Sequence, residues 1–349
     1  MTLIKDVFTE EWVSKLGHRL GFEQEFCQKS YSTDWDDLSF KERVRRLSVT
    51  MHDFLPDSFD QAAEWLEKNA PDFNGLAGIV FPDYIEVYGQ EDWDRSLTAL
   101  EILTSFSTSE FAIRPFLIRD QERCFSYIEK WTGSGNEHVR RLASEGTRPR
   151  LPWGQAIPSL IQDPSPSLPI LKRLLKDPSL YVRKSVANHL NDISKTHPEV
   201  VLSIVKAYQG QYPHTDWILR HACRTLLKRG HPEALKLFGF NQTDGVKVES
   251  FLVPRSVEIG ESLTFGLTLT IAESQKIRLD FAVDYVKKKG TRNRKVFKLS
   301  EGEAKAGKKQ FNRKLSFADL TTRKHYPGTH TLTILINGIE AASADFEVM

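Results

Sequence analysis

The chain has 349 residues, 40% of them hydrophobic, 27% charged and 11% aromatic, a composition that excludes disordered and low-complexity classes and leaves room for about two domains. Three cysteines, Cys27, Cys124 and Cys223, are odd in number and lack C-x-x-C spacing, which excludes a disulfide framework or cysteine zinc site and predicts a reducing cytosol. The net charge of +2 conceals an asymmetry: −11 over residues 1–105, +8 over 106–240 and +5 over 241–349, so two segments offer basic surface to a polyanion or simply to solvent.

In chain order, the start turns acidic at once and no leader segment is predicted. The longest apolar stretches, such as Gly75 to Phe81, fall far short of the ~20 residues of a membrane span. The first two-thirds read as helix. Ser107-x-x-Glu110 fits a capping box. A helix is predicted from Leu168 to Leu175, with Ser167 placed to cap it and Asp177-Pro178 to stop it. Val182, Val186 and Leu190, four apart, give the next helix an apolar stripe. Thr196-x-x-Glu199 predicts a capping box opening a helix through Tyr208, and a further helix is predicted over His214 to Arg229.

An apolar residue followed by Arg recurs at Ile113-Arg114, Val139-Arg140, Val182-Arg183 and Leu219-Arg220. This resembles HEAT repeats, stacked helix pairs in which each pair needs its neighbours to bury its apolar face. Near residue 241 the pattern changes. Asn241 to Gly245 reads as a linker, and about seven short alternating segments follow, at 246–253, 263–271, 279–286, 295–299, 310–316, 329–336 and 345–348. All seven tryptophans precede this point. The expected fold is therefore an α-helical HEAT-like repeat solenoid over residues 1–240 followed by an all-β Ig-like sandwich over 246–349, without the antibody disulfide.

No G-x-G-x-x-G, P-loop, H-E-x-x-H or G-x-S-x-G motif occurs. His189 and His197 read as structural. Four constellations remain. Glu110, in Ser107 to Phe116, is a cap or a functional carboxylate. Asp192, in Asn188-His-Leu-Asn-Asp192, sits in a last helical turn against the macrodipole, an unfavourable placement of ~0.3–1 kcal/mol that points either to solvent or to a cationic ligand. Arg148-Pro-Arg-Leu-Pro-Trp153 must be a rigid loop; its guanidiniums suit phosphates, and Trp153 suits either a base or a repeat-junction core. Lys287-Lys-Lys-Gly-Thr-Arg-Asn-Arg-Lys295 places a hairpin turn at Gly290 beneath a basic tip, with Lys305, Lys308, Lys309, Arg313 and Lys314 expected nearby; it suits a polyanion or guards an edge strand.

Glu110-Phe-Ala-Ile-Arg-Pro-Phe116, the Arg148–Trp153 segment and Tyr181-Val-Arg-Lys-Ser-Val-Ala-Asn-His-Leu-Asn-Asp-Ile-Ser-Lys195 together resemble the HEAT-like bacterial alkylation-repair DNA glycosylases of the AlkC type. Asp284-Tyr-Val to Leu299 resembles the Ig-like domain that some of them carry. The resemblance implies a monofunctional enzyme that hydrolyses the N-glycosidic bond of cationic N-alkylated bases, such as N3-methyladenine and N3-methylcytosine, in duplex DNA without flipping the base. It implies Glu110 and Asp192 as catalytic carboxylates and Trp153 as an aromatic residue lining the site. It further implies an Ig-like domain that helps embrace the duplex. On this reading Arg148 and Arg150, with Arg114, Arg183, Lys184, Asn188, Lys195, Arg220 and the Lys287, Lys288 and Lys289 tip, hold double-stranded DNA. No metal, cofactor or membrane is implied, and a monomer in the bacterial cytoplasm, nucleoid-associated when bound, is expected.

The chemistry agrees with that implication. A base alkylated on a ring nitrogen is already cationic and leaves without protonation, so carboxylates that stabilise an oxocarbenium ion and position water suffice, helped by cation–π contact with an indole. The alternatives are a non-catalytic HEAT scaffold for a protein partner, and a DNA-binding accessory protein whose carboxylates only cap helices.

Overall fold

The apolar spacing of the first two-thirds closes into helices and the alternating pattern of the last third into strands. In the computed structural model, which describes residues 3–31, 34–241, 244–320 and 323–349, sixteen α-helices end at Leu237 and eight strands begin at Val246. Gln242 and Thr243 of the expected linker lie outside the described residues. No described helix is long and apolar enough to cross a membrane. By packing, the chain forms two compact units, Met1–Thr196 with Gly210–Ala222, and His197–Gln209 with Cys223–Met349.

In the first unit the Leu180–Ile193 helix packs on Glu137–Glu145 and on Pro213–Ala222. Its stripe of Val182, Val186 and Leu190 is fully buried, each side chain contributing about 1.5–3 kcal/mol. Two of the four recurrent arginines, Arg140 and Arg183, share one role. Arg140 Nη1 donates to the carbonyls of Ser134 and Gly135, six and five residues back, at 2.9 and 3.3 Å. Arg183 Nη1 does the same to Asp177 and Pro178, at 3.0 and 2.7 Å. Each arginine thus clamps the loop that enters its own helix, and Arg140 also forks onto Asp177 at 2.7 and 3.1 Å.

Local expectations differ from the structure in four places. Ser167 does not cap; it belongs to a 3-10 turn, Ser165–Ser167, and its buried hydroxyl has no partner among the described residues. Thr196 forms no capping box, because its hydroxyl turns back to Ile193 O and the next helix starts at Pro198 with His197 as N-cap. Ser107 forms none either: its amide donates to Leu103 O and helix begins only at Arg114. The expected single helix over His214 to Arg229 is two, Pro213–Ala222 and Arg224–Lys228, because Cys223 (ψ 5°) leaves the helical basin.

The second unit is built on strands β1 (Val246–Leu252), β2 (Ser256–Val257), β3 (Ser262–Ile271), β4 (Gln275–Val286), β5 (Arg292–Ala304), β6 (Gly307–Ser316), β7 (Gly328–Ile336) and β8 (Ile339–Val348). They form two sheets, β1-β3-β6 and β2-β8-β7-β4-β5. All neighbours are antiparallel except β2 with β8. Phe265 from one sheet meets Phe281 from the other in a shared core. Two residues of β2 are too few to show alternation, so that strand was not expected. No disulfide joins Cys27, Cys124 or Cys223.

Candidate active site

Three segments of the first unit converge through their charges. Asp192 closes the Leu180–Ile193 helix with a side chain only 2% exposed. Its Oδ2 accepts from Arg148 Nε at 2.8 Å and pairs with Arg148 Nη2 at 2.8 Å, and its Oδ1 accepts from Lys195 Nζ at 2.8 Å. The carboxylate that opposes the helix dipole is therefore held by two cations. Arg148 Nη1 also reaches Glu145 Oε1 at 2.7 Å, and Arg141 Nη2 approaches the same oxygen at 3.7 Å. Arg141 Nη1 pairs with Glu110 Oε2 at 2.6 Å. The result is an alternating chain, Glu110–Arg141–Glu145–Arg148–Asp192–Lys195, of three carboxylates and three cations. Burial alone would depress the Arg148 guanidinium, but Glu145 and Asp192 outweigh it and the net shift is upward.

Glu110 lies in a turn with Thr108, whose hydroxyl donates to Glu110 Oε2 at 2.8 Å and accepts from Arg141 at 3.0 Å. Oε2 is thus doubly engaged, while Oε1 has no hydrogen-bond partner among the described residues. The Glu110 carboxylate therefore joins an ion chain and does not reach a helix N-terminus as a capping box would require.

The loop after Glu145 is organised by Arg114, which is fully buried. Its guanidinium donates to the carbonyls of Gly146 (3.0 Å), Arg148 (2.8 Å) and Gln155. Burial, with Arg148 adding to it, brings Arg114 down to about 10 against the pull of Glu110, Glu145 and Asp192. On this loop Trp153 is 62% exposed, so it is not a core plug. Its φ of 63° is left-handed, a conformation that disfavours a side chain by roughly 1–2 kcal/mol and concentrates at functional sites. The indole leans on Phe40, 6.2 Å away between ring centroids. Lys41 Nζ donates to the Trp153 carbonyl at 2.7 Å and lies 4.5 Å over the Phe111 ring.

The expected DNA-holding residues divide by depth. Arg114 and Arg148 spend their donors inside the protein, so the phosphate-contact expectation is corrected for them and they organise the site instead; half-buried Arg183 commits its Nη1 to clamping a loop. Lys195 is partly exposed beside Asp192. Lys184, Asn188 and Asp192 are spaced four apart on one helical face, exposed, half-buried and buried in turn. Arg150 is half-buried, and its Nη1 is enclosed with no partner among the described residues. Arg220 is half-buried on Pro213–Ala222. His189 is buried, its Nδ1 2.9 Å from Ser144 O, and desolvation brings it down to about 4.

In the second unit, Gly290 (φ 75°) turns the β4–β5 hairpin as expected, closed by Lys287 N–H to Thr291 O at 2.8 Å. Lys287, Lys288, Lys289 and Lys295 line a hollow with Arg323 and Lys324. Lys308, Lys309, Arg313 and Lys314 lie on β6, in the other sheet from the β4–β5 hairpin. Sequence reasoning missed Arg141 and Glu145. Their i, i+4 spacing, with Arg148 three further on, was the available signal.

A helical repeat body joined to an Ig-like sandwich, with an exposed Trp loop beside a buried ion chain, defines the architectural class. The DNA alkylation repair enzyme family matches residues 45–226, and the YhaZ C-terminal Ig-like domain family matches 247–349. A Bacillus subtilis protein, uncharacterised protein YhaZ, is 48% identical with full coverage of both chains. The solved Pseudomonas fluorescens alkylpurine DNA glycosylase AlkC, bound to DNA containing an abasic-site analogue, is 39% identical, again with full coverage of both, at a TM-score of 0.95. The chain belongs to the DNA alkylation repair enzyme family, and its fold is AlkC-like.

Proposed function

We propose that the protein is a monofunctional DNA glycosylase that removes cationic N-alkylated bases, such as N3-methyladenine and N3-methylcytosine, from duplex DNA, acting as a monomer in the cytoplasm. The carrying observation is the ion chain that fixes two carboxylates, Asp192 and Glu110, in a chain similar over its full length to a glycosylase solved on DNA. The reaction breaks the C1′–N bond, with the electron pair leaving on the base; water adds its oxygen to C1′ and gives up a proton. Glu110 Oε1, free of protein donors, takes the water role. Asp192, clamped between Arg148 and Lys195, adds a fixed negative field toward the oxocarbenium ion without needing to reorganise. The exposed Trp153 indole offers its face to a cation at the surface, which suits a lesion that stays in the base stack. Phosphates are met by Lys184, Lys195, Arg150, Arg220 and the Lys287–Lys289 tip.

Incubation with N3-methyladenine duplex in EDTA should release free base. Asp192→Asn should abolish release yet retain duplex binding, because Glu110, Trp153 and the cations remain. Near-normal excision by that variant would remove Asp192 from the mechanism. Salt-sensitive binding without any release by the native protein would leave only a DNA-binding accessory role.

A further inference from the structure

Trp153 is held in its left-handed conformation from an unexpected direction. The acidic first third of the chain supplies Phe40 and Lys41, the first two residues of the Phe40–His52 helix. Both lie outside residues 45–226, the segment matched by the repair-enzyme family. Phe40 is 7% exposed, so its ring is a fixed wall, and the Trp153 indole rests against it at 6.2 Å and 45°. Lys41 Nζ grips the Trp153 carbonyl at 2.7 Å, while the face of Phe111, adjacent to Glu110, holds the same ammonium at 4.5 Å. Phe40 itself is anchored by stacking on Phe8 at 5.6 Å. A residue with positive φ and an exposed side chain needs outside support to stay in one conformation. Here the support reaches both its ring and its backbone.

We propose that Phe40 and Lys41 are positioning residues that latch Trp153 in the orientation used for base excision, giving the N-terminal third a role in the active site. The inference rests on the excision reading above. Lys41 acts through Trp153 and contacts no reacting atom. Its ammonium also bridges the two halves of the site, since Phe111 follows Glu110 directly.

The test uses the full-length protein, single-turnover release of N3-methyladenine at saturating protein, and duplex affinity measured at several salt concentrations. Lys41→Met keeps the stem and loses the donor. It should lower the single-turnover rate about fivefold, with affinity, salt slope and thermal midpoint unchanged. Lys41→Arg should recover most of the rate. In a Trp153→Ala background Lys41→Met should add no further loss, whereas a general structural defect would add its full effect there. An unchanged rate in Lys41→Met, or additive losses with Trp153→Ala, overturns the latch. A salt slope lowered by about one at unchanged rate also overturns it and makes Lys41 a phosphate contact instead. If the native protein releases no base while folding normally, the excision reading fails and the latch falls with it.

Discussion

Replacing Arg148 by Met distinguishes a buried organiser from a phosphate contact. The guanidinium hydrogen-bonds Asp192 at 2.8 Å, brings a second nitrogen to the same oxygen at 2.8 Å, and bonds Glu145 at 2.7 Å, in surroundings where the three side chains are 9%, 2% and 8% exposed. Its removal leaves two buried carboxylates. Asp192 keeps Lys195 at 2.8 Å, but that ammonium is 37% exposed and screened, and Glu145 keeps only Arg141 at 3.7 Å. Breaking a buried pair from one side typically destabilises by about 3–5 kcal/mol, and this change breaks two pairs that share one cation. A loss of about 4 kcal/mol is therefore expected in urea unfolding followed by the helical circular dichroism signal. The double variant Arg148→Met with Glu145→Gln should recover roughly half of it, because one uncompensated charge is gone. Affinity for an abasic duplex should keep its salt slope, since no phosphate contact has been removed; a phosphate-binding arginine would take about 0.9 off the slope. A variant that unfolds within about 0.5 kcal/mol of the native protein and has a shallower slope would refute the buried-chain reasoning.

Two further outcomes follow from the geometry. Replacing Lys287, Lys288 and Lys289 together by Gln should weaken binding to every duplex sequence and flatten the salt slope by up to about three, read by fluorescence anisotropy between 50 and 200 mM salt; an unchanged slope would make the tip an edge guard. His189 stays neutral in the fold because burial lowers it to about 4 from 6.5. Its folded value lies below its unfolded one, so its stability contribution is complete above about pH 6.5 and is lost progressively as pH falls toward 4, by about 3 kcal/mol in all. Between pH 7.5 and 5 the native protein should lose about 2 kcal/mol more than His189→Asn, which keeps a donor for Ser144 O; equal losses in urea unfolding would place the titration elsewhere.

The depth of an arginine is the property that sequence reasoning could not supply. The change from helical to alternating spacing located the fold change between Leu237 and Val246, because periodicity is local. Asp192 stood out for a local reason too: a carboxylate at a helix C-terminus opposes the dipole, and the structure answers with Arg148 and Lys195. Lys195, three residues on, was within reach of spacing rules, whereas Arg148 is 44 residues away and no pattern pairs them. Its loop, with two prolines and three cationic or aromatic side chains, reads like exposed surface. Half of that reading holds, since Trp153 is exposed and Arg148 is not. Arg183 has a second, local signal beside its basic character: the recurrence of Val-Arg at residues 139 and 182 marked a repeated backbone clamp, and the carbonyls five and six residues back take the Nη1 of each arginine. At these two positions the recurring cation serves the repeat. A cation that breaks the pattern, as Arg141 does beside the clamping Arg140, is the better candidate for the site, and it is Arg141 that joins Glu110 to the chain ending at Asp192.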